Sequence, residues 1–174
     1  MTMKSGKSEK RKVRDRKRNH VIVAGGGAAG MIAAISAKRM GAEVTILERN
    51  ARVGKKLLAT GNGRCNFTNI TADADCYLGS NPKFVHHALS AFSPKETIRF
   101  FEKLGIQHKV EDRGKVFPMS DQASSMLDVL LYELNASGVR IQCDSYVQDL
   151  EKRKGGFLIR TKDGKIYEAD KVIL

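Results

Sequence analysis

The stretch from Val21 to Glu48, VIVAGGGAAGMIAAISAKRMGAEVTILE, constrains the fold of this chain more than any other part of it. It opens on an apolar run, Val21-Ile22-Val23, and turns on Gly25-x-Gly27-x-x-Gly30. A small-residue segment of helical character follows and stops at Gly41. A second apolar run, Glu43 to Leu47, ends on the acid Glu48. Strand, tight turn, helix and strand in that order make a βαβ unit. The helix carries the chain back to the end where the first strand began, so the two strands run parallel.

The glycine spacing adds a chemical expectation, because a dinucleotide needs each part of this pattern. Gly25 permits the tight turn, Gly27 has no side chain to block a pyrophosphate, and Gly30 lets the helix lie close on the strand. The helix N-terminus offers free N–H groups and a partial positive charge to phosphate. Glu48 lies 23 residues after Gly25, close to the spacing of about 20 for an acid that binds ribose. Its carboxylate is expected to accept hydrogen bonds from both ribose hydroxyls. An acid there, in place of Arg or Lys, favours the unphosphorylated ribose of FAD or NAD over NADP. A structural glycine turn with a solvent-facing Glu48 is the competing interpretation.

The 174 residues suffice for one domain with a real core, or for one domain and part of another. The net charge of +12 is unevenly placed: residues 1–20 hold nine Lys/Arg and two acids, and the remainder carries +5. The basic tail, residues 1–19, has almost no apolar residues and is expected to be disordered. It reads as a solvated extension in preference to a nucleic-acid or membrane arm, since clustered charge is a low-specificity signal and no aromatic interleaving accompanies it. Basic residues before an apolar run imitate a signal peptide. Three consecutive glycines and the βα pattern argue against one, and the run is too short to span a bilayer. The expectation is a soluble, cytoplasmic protein without a membrane or nucleic-acid partner. Its oligomeric state is left open.

Cys65, Cys76 and Cys143 form no CxxC and no metal spacing with the four histidines, so no metal is expected and a reducing compartment fits. His86 and His87 are adjacent and read as one surface and one packed position.

From Arg49 to about Pro82 no periodicity stands out, and a structureless stretch of that length is more often functional than filler. Ser93-Pro94-Lys95-Glu96 then opens a helix with a cap, a first-turn proline and a capping-box acid. Ile98, Phe101 and Leu104 mark its apolar face and Gly105 its end. Arg113-Gly114-Lys115 reads as a turn between two short extended pieces, Ile106–Val110 and Lys115–Phe117. Ser120 or Asp121 is expected to cap the next helix, whose Met126, Leu127, Leu130, Leu131 and Leu134 repeat at helical spacing up to Gly138. Val139–Cys143 follows as a strand expected to join the first two in parallel. Tyr146–Leu150, Phe157–Thr161 and Lys165–Glu168 suggest a small antiparallel meander with Asp163-Gly164 at a turn. Lys171-Val172-Ile173-Leu174 begins a further apolar strand. A buried parallel strand is normally followed by more structure, so the chain reads as the N-terminal part of a longer protein.

The second glycine-rich segment, Thr60-Gly61-Asn62-Gly63-Arg64-Cys65-Asn66, follows Gly54-Lys55-Lys56-Leu57-Leu58. Its backbone donors can form an anion-binding nest, and Arg64 can fork onto a phosphate or carboxylate. A simple NAD-dependent dehydrogenase has no evident need of such a loop after the ribose acid. A cofactor that extends beyond its pyrophosphate does.

With these residues in view, Val21–Glu48 resembles the dinucleotide-binding start of the glutathione-reductase-like FAD proteins. The pairing GKKLL and TGNGRCN narrows the resemblance to the bacterial BaiN-like flavoproteins, also described as aminoacetone-oxidase-type NAD(P)/FAD-dependent oxidoreductases. It continues through Gly114–Pro118 and Val139–Val147. The resemblance implies a Rossmann-like α/β FAD-binding domain over residues 20–174, with a parallel sheet, helices and a small meander. It also implies a substrate domain and a return to the FAD domain beyond this chain. Carried over by position, Gly25, Gly27, Ala28, Ala29 and Gly30 would cradle the FAD pyrophosphate. Glu48 would hold the ribose with Arg49 beside the adenine. Lys55, Lys56, Thr60, Gly61, Gly63, Arg64, Cys65 and Asn66 would line the flavin half, and the main chain of Val147 would meet the adenine edge. Cys65 reads as a packed cysteine in a cofactor loop ahead of a redox thiol.

The expected activity is that of a flavin-dependent oxidoreductase on a small-molecule substrate, linked to NAD(P)H or oxygen, with FAD as cofactor and no protein residue assigned to catalysis. An NAD-binding dehydrogenase and a non-enzymatic nucleotide-binding module with a basic arm stand as alternatives.

Overall fold

The computed structural model describes residues 19–174. The expected disorder of the basic tail falls, but for Asn19, outside the described residues. Four parallel strands form the central sheet in the order β10-β1-β2-β6. They are β1 (His20–Ala24), β2 (Glu43–Leu47), β6 (Arg140–Gln142) and β10 (Lys171–Ile173). Side chains alternate across β1 and β2. Val21, Val23, Val44 and Ile46 enter one apolar cluster with helices α1 (Ala28–Arg39) and α5 (Ala123–Ala136). Ile22 and Leu47 enter another beneath an antiparallel meander of β7 (Val147–Arg153), β8 (Gly156–Thr161) and β9 (Ile166–Ala169). The first two strands are therefore covered on both faces, which explains their continuous apolar runs. Ile22, Ile35, Ile46, Met126, Leu130 and Leu134 are sealed from solvent, each contributing roughly 1.5–3 kcal/mol through burial.

The helix stops follow from local chemistry. At Gly41, Gly105 and Gly138 the chain closes the preceding helix with the same pair of backbone bonds: the glycine N–H reaches three residues back, and the next N–H five. Helix α4 (Pro94–Lys103) starts as expected, with Ser93 Oγ accepting from Glu96 N at 3.3 Å and its hydroxyl donating to the Glu96 carboxylate. Helix α5 does not start as expected. Gln122 occupies the cap with no side-chain cap bond, because Ser120 bonds Ser125 Oγ and Asp121 points to cations elsewhere.

The stretch from Arg49 to Pro82 holds short structure in place of a continuous loop. It contains α2 (Lys55–Leu58), a 3-10 turn at Thr60–Gly63, β3 (Thr68–Asn69) and a second 3-10 turn at Ala74–Cys76. These elements are too short to leave a period in the sequence. Strand β3 completes a small antiparallel sheet with the anticipated hairpin of β4 (His108–Val110) and β5 (Lys115–Pro118), in the order β3-β5-β4. Helix α3 (Phe84–Ala91) follows, and both His86 and His87 are exposed on it, so neither is the packed position expected. The further apolar strand expected at Lys171–Leu174 is β10; it pairs with β1 and forms the sheet edge, with Ile173 37% exposed and not buried.

Candidate functional site

The C-terminal ends of β1 and β2 open on a cleft of about 320 Å³. It is lined by the Gly25–Gly27 turn, Glu48, Arg49, Lys55, Lys56 and Val147, seven of the sequence-derived positions together with the unanticipated Gly26, Asn50 and Gly54. Gly25 carries φ 110°, a conformation that side chains resist. A Cβ on Gly30 would overlap the carbonyl oxygen of Gly25, which is the close helix–strand approach expected of it. A Cβ on Gly27 would meet nothing within 4 Å, so the space beside the turn is open. Gly27 caps α1 without a side chain, and the first turn of α1 holds no acid. The first N–H groups of the helix, from Ala28 to Gly30, have no partner within it. The result is an uncapped, electropositive helix end facing open space.

Glu48 is 7% exposed and already held by protein donors. Gly26 N–H donates to Oε2 at 2.7 Å, Asn50 N–H donates to Oε1 at 2.8 Å, and Asn50 Nδ2 donates to Oε1 as well. This corrects the expectation of a carboxylate free to receive two hydroxyls. Of about four acceptor positions on a carboxylate, protein donors take all but one, and the open one is on Oε2. Burial pushes the Glu48 pKa up, but the donors of Asn50 and Gly26 and the charge of Arg49 outweigh it and hold it below the ordinary value. Gly54, which precedes the two lysines, has φ 73°, and a Cβ there would collide with Leu127 of α5. Gly26 and Asn50 carried a usable signal: one is the middle of three glycines, and the other lies two residues after the acid.

The Thr60–Asn66 segment does not share that cleft. Gly61, Arg64 and Asn66 line a second one of about 610 Å³ with Asn62, Glu111 and Phe117. The two glycine-rich segments thus line different clefts, and the second leads directly into β3, which pairs with β5 of the hairpin. Arg64 is not available to fork onto a ligand as expected. Its Nε and terminal nitrogen donate to Asp121 Oδ1 at 2.8 and 2.6 Å, it also pairs with Glu111, and its guanidinium lies 4.2 Å from the Phe117 ring centre. Lys109 joins both carboxylates, so two cations and two anions close the network. The Asn66 side-chain nitrogen, surrounded by carbonyls, donates to Thr68 O and Val116 O at 2.7 and 3.1 Å. Thr60 Oγ1 donates to Leu57 O at 2.6 Å, and Gly63 has open space at its Cα.

Asn62, Cys65, Arg113 and Asp121, all around this second cleft, carry φ between 55° and 61° without being glycine. Strained backbone of this kind persists only where surrounding contacts hold it. Cys65 is buried, and burial pushes its thiol pKa up, so it is a packed and protonated side chain. Among the described residues no His, Cys, Asp and Glu cluster could hold a metal ion, and no helix is long and apolar enough to cross a membrane.

Comparison with known proteins extends the geometry. The chain is 46% identical over 158 residues to 3-dehydro-bile acid delta(4,6)-reductase of Clostridium scindens, covering 90% of this chain and 38% of that protein. It is 33% identical over 138 residues to ribosomal RNA dihydrouridine synthase of Escherichia coli, covering 79% and 34%. The chain thus spans roughly a third of the length of these curated relatives. Among solved structures, 3-ketosteroid-delta4-(5alpha)-dehydrogenase from Rhodococcus jostii matches with a TM-score of 0.66 over 93% of this chain and 47% of that one, at 20% identity, a likeness of fold. The model of the HI0933-like protein Rossmann domain matches residues 19–174, as the paired glycine motifs led us to expect, and the chain belongs to the HI0933-like family.

Proposed function

We propose that this chain forms the FAD-binding part of a flavin-dependent oxidoreductase acting on a small-molecule substrate. The observation that carries the proposal is the convergence, in one cleft, of an uncapped helix N-terminus, the open space at Gly27 and the ionised Glu48. These residues fit the adenosine diphosphate half of FAD. The N–H groups of Ala28, Ala29 and Gly30 would bind the pyrophosphate, with Gly25 and Gly27 shaping its approach. Glu48 would orient the ribose, Arg49 and the main chain of Val147 would flank the adenine, and Lys55 and Lys56 would balance phosphate charge. Thr60, Gly61, Gly63, Arg64, Cys65 and Asn66 would shape the flavin half from the second cleft, with Arg64 acting through its ion pairs. Bound FAD supplies a ring that takes up and returns two electrons, and the protein supplies position and electrostatics.

The relatives' names favour one class of substrate. One relative is named a delta(4,6)-reductase of 3-dehydro bile acids and the other a dihydrouridine synthase, and both names describe reduction of a ring carbon–carbon double bond. We extend that chemistry to this protein, with NAD(P)H as the cosubstrate. The higher identity to the bile-acid enzyme favours a small molecule over RNA.

The test is a visible absorbance spectrum of the purified protein, then chromatography of the ligand released on denaturation. Released FAD supports the proposal. Released NAD, or a protein that stays colourless and takes up no FAD even when extended to the relatives' full length, overturns it in favour of a dehydrogenase or a nucleotide-binding module. Loss of salt-sensitive RNA binding on deleting residues 1–19 would favour the module with a basic arm.

A further inference from the structure

The nucleotide cleft contains a contradiction in charge. Arg49, Arg52, Lys55 and Lys56 are all exposed, and three of them line the cleft. None forms an ion pair with an acid among the described residues. The three cations on the cleft wall, Arg49, Lys55 and Lys56, attract phosphate, so the rim by itself favours a phosphorylated ribose. Glu48 is the element that opposes this, and it does so only while its carboxylate keeps its position.

Three donors hold that position, and only one comes from a side chain, Asn50 Nδ2. The backbone around it is already tied down. Glu48 N–H donates to Gln142 O at 2.8 Å, Ser145 N–H donates to Glu48 O at 2.8 Å, and Asp144 N–H donates to Asn50 O at 3.1 Å. Asn50 is therefore fixed at its own Cα, and its amide is delivered to Oε1 by a rigid turn.

Resting on the nucleotide reading above, we propose that Asn50 is the specificity-determining residue of the ribose subsite: its side-chain amide locks Glu48 in an orientation that leaves one acceptor position for a hydroxyl and rejects a ribose phosphate. A hydroxyl donates to the open position on Oε2. A phosphate group brings negative charge against a carboxylate that cannot turn away, and like charges held close repel strongly in a partly buried site. Without the amide, Oε1 keeps only the Asn50 N–H. With a single backbone donor left on each oxygen, the carboxylate rotates more freely and yields the phosphate to Arg49, Lys55 and Lys56. Asn50 is a positioning residue, since it acts on the ligand through Glu48.

The experiment titrates flavin-free protein with ADP and with 2′,5′-ADP by calorimetry, alongside thermal melting of each variant. The wild-type protein is expected to bind ADP at least about tenfold tighter, the scale of one hydrogen bond to a charged group. Asn50→Ala and the near-isosteric Asn50→Leu are expected to bring the two affinities together, chiefly by strengthening 2′,5′-ADP, whereas Asn50→Ser, which keeps a donor, retains discrimination. The leucine variant preserves volume, so the test survives if the alanine variant fails to fold. Equal weakening of both ligands with an unchanged ratio, whatever the melting temperature does, overturns the proposal while leaving the nucleotide reading intact. Discrimination absent from the wild-type protein overturns it in the same way. A wild-type protein that binds neither ligand removes the nucleotide reading and this inference together.

Discussion

Gly26 N–H donates to Glu48 Oε2 at 2.7 Å, tying the glycine turn after β1 to the acid at the end of β2. The same residue has no room for a side chain. A Cβ on Gly26 would overlap Val53 Cγ1 and lie 3.3 Å from Glu48 Cβ. Gly27, one residue on, faces open space. Neighbouring glycines therefore differ: Gly26 is required by packing, whereas Gly27 leaves open the space assigned above to the proposed nucleotide.

Gly26→Ala and Gly27→Ala are accordingly expected to separate stability from binding. Gly26→Ala forces Val53 to move and costs about 1–3 kcal/mol by overpacking. Gly27→Ala, at φ −76°, leaves stability nearly unchanged but weakens nucleotide binding. Denaturant melts and FAD titration of both variants check this; equal loss of stability in the two would contradict it.

Leu130 of α5 is sealed against the helical face of the sheet. Leu130→Ala is expected to destabilise by about 2–5 kcal/mol, because the transfer term and the residual cavity add. Leu131, on the same helix but only partly buried, is expected to cost less on the same substitution. Urea denaturation midpoints of the two variants make the comparison.

The Arg64 network predicts a pH dependence. Hydrogen bonding to Arg64, then to Lys109, holds Glu111 below its ordinary 4.5. Hydrogen bonding to Lys109, then to Arg64, holds Asp121 below its ordinary 3.8. A carboxylate whose folded pKa is depressed contributes stability above its unfolded value, and loses it as pH falls through the folded one. The melting temperature is thus expected to decline as pH drops below about 4.5. Arg64→Met should lower the neutral-pH melting temperature and flatten that decline. An unchanged acid limb in Arg64→Met would show that other groups carry it.

Thiol reactivity is expected to follow exposure and charge. Cys76 is exposed, whereas burial raises the Cys65 pKa, and burial together with Asp144 and Glu48 raises that of Cys143. At neutral pH iodoacetamide should modify Cys76 well before the other two, since the thiolate is the nucleophile. Peptide mass spectrometry over a time course reads the order, and Cys65 modified first would revive it as a redox thiol.

Local chemistry alone already specified the βαβ unit, the glycine stops of α1, α4 and α5, the Ser93 cap and the three-stranded meander. Periodicity and turn residues act over a few positions, and each of these features is settled within such a span. The pairing of the two glycine-rich motifs likewise pointed to the family, since both are continuous in sequence. What depended on distant residues was not legible. The meander was visible, but its place across the Ile22–Leu47 face of the sheet was not. Asp121 looked like a helix cap until packing brought Arg64 and Lys109 to it across 57 and 12 residues. Arg64 looked like a free phosphate ligand for the same reason. Even at Glu48 the sequence marks an acid at the strand end but not the three donors that leave it one open acceptor position, because Gly26 reaches it only after β1 and β2 have paired. Short-range preferences set the elements, and long-range packing set which polar groups met and which stayed open to a ligand.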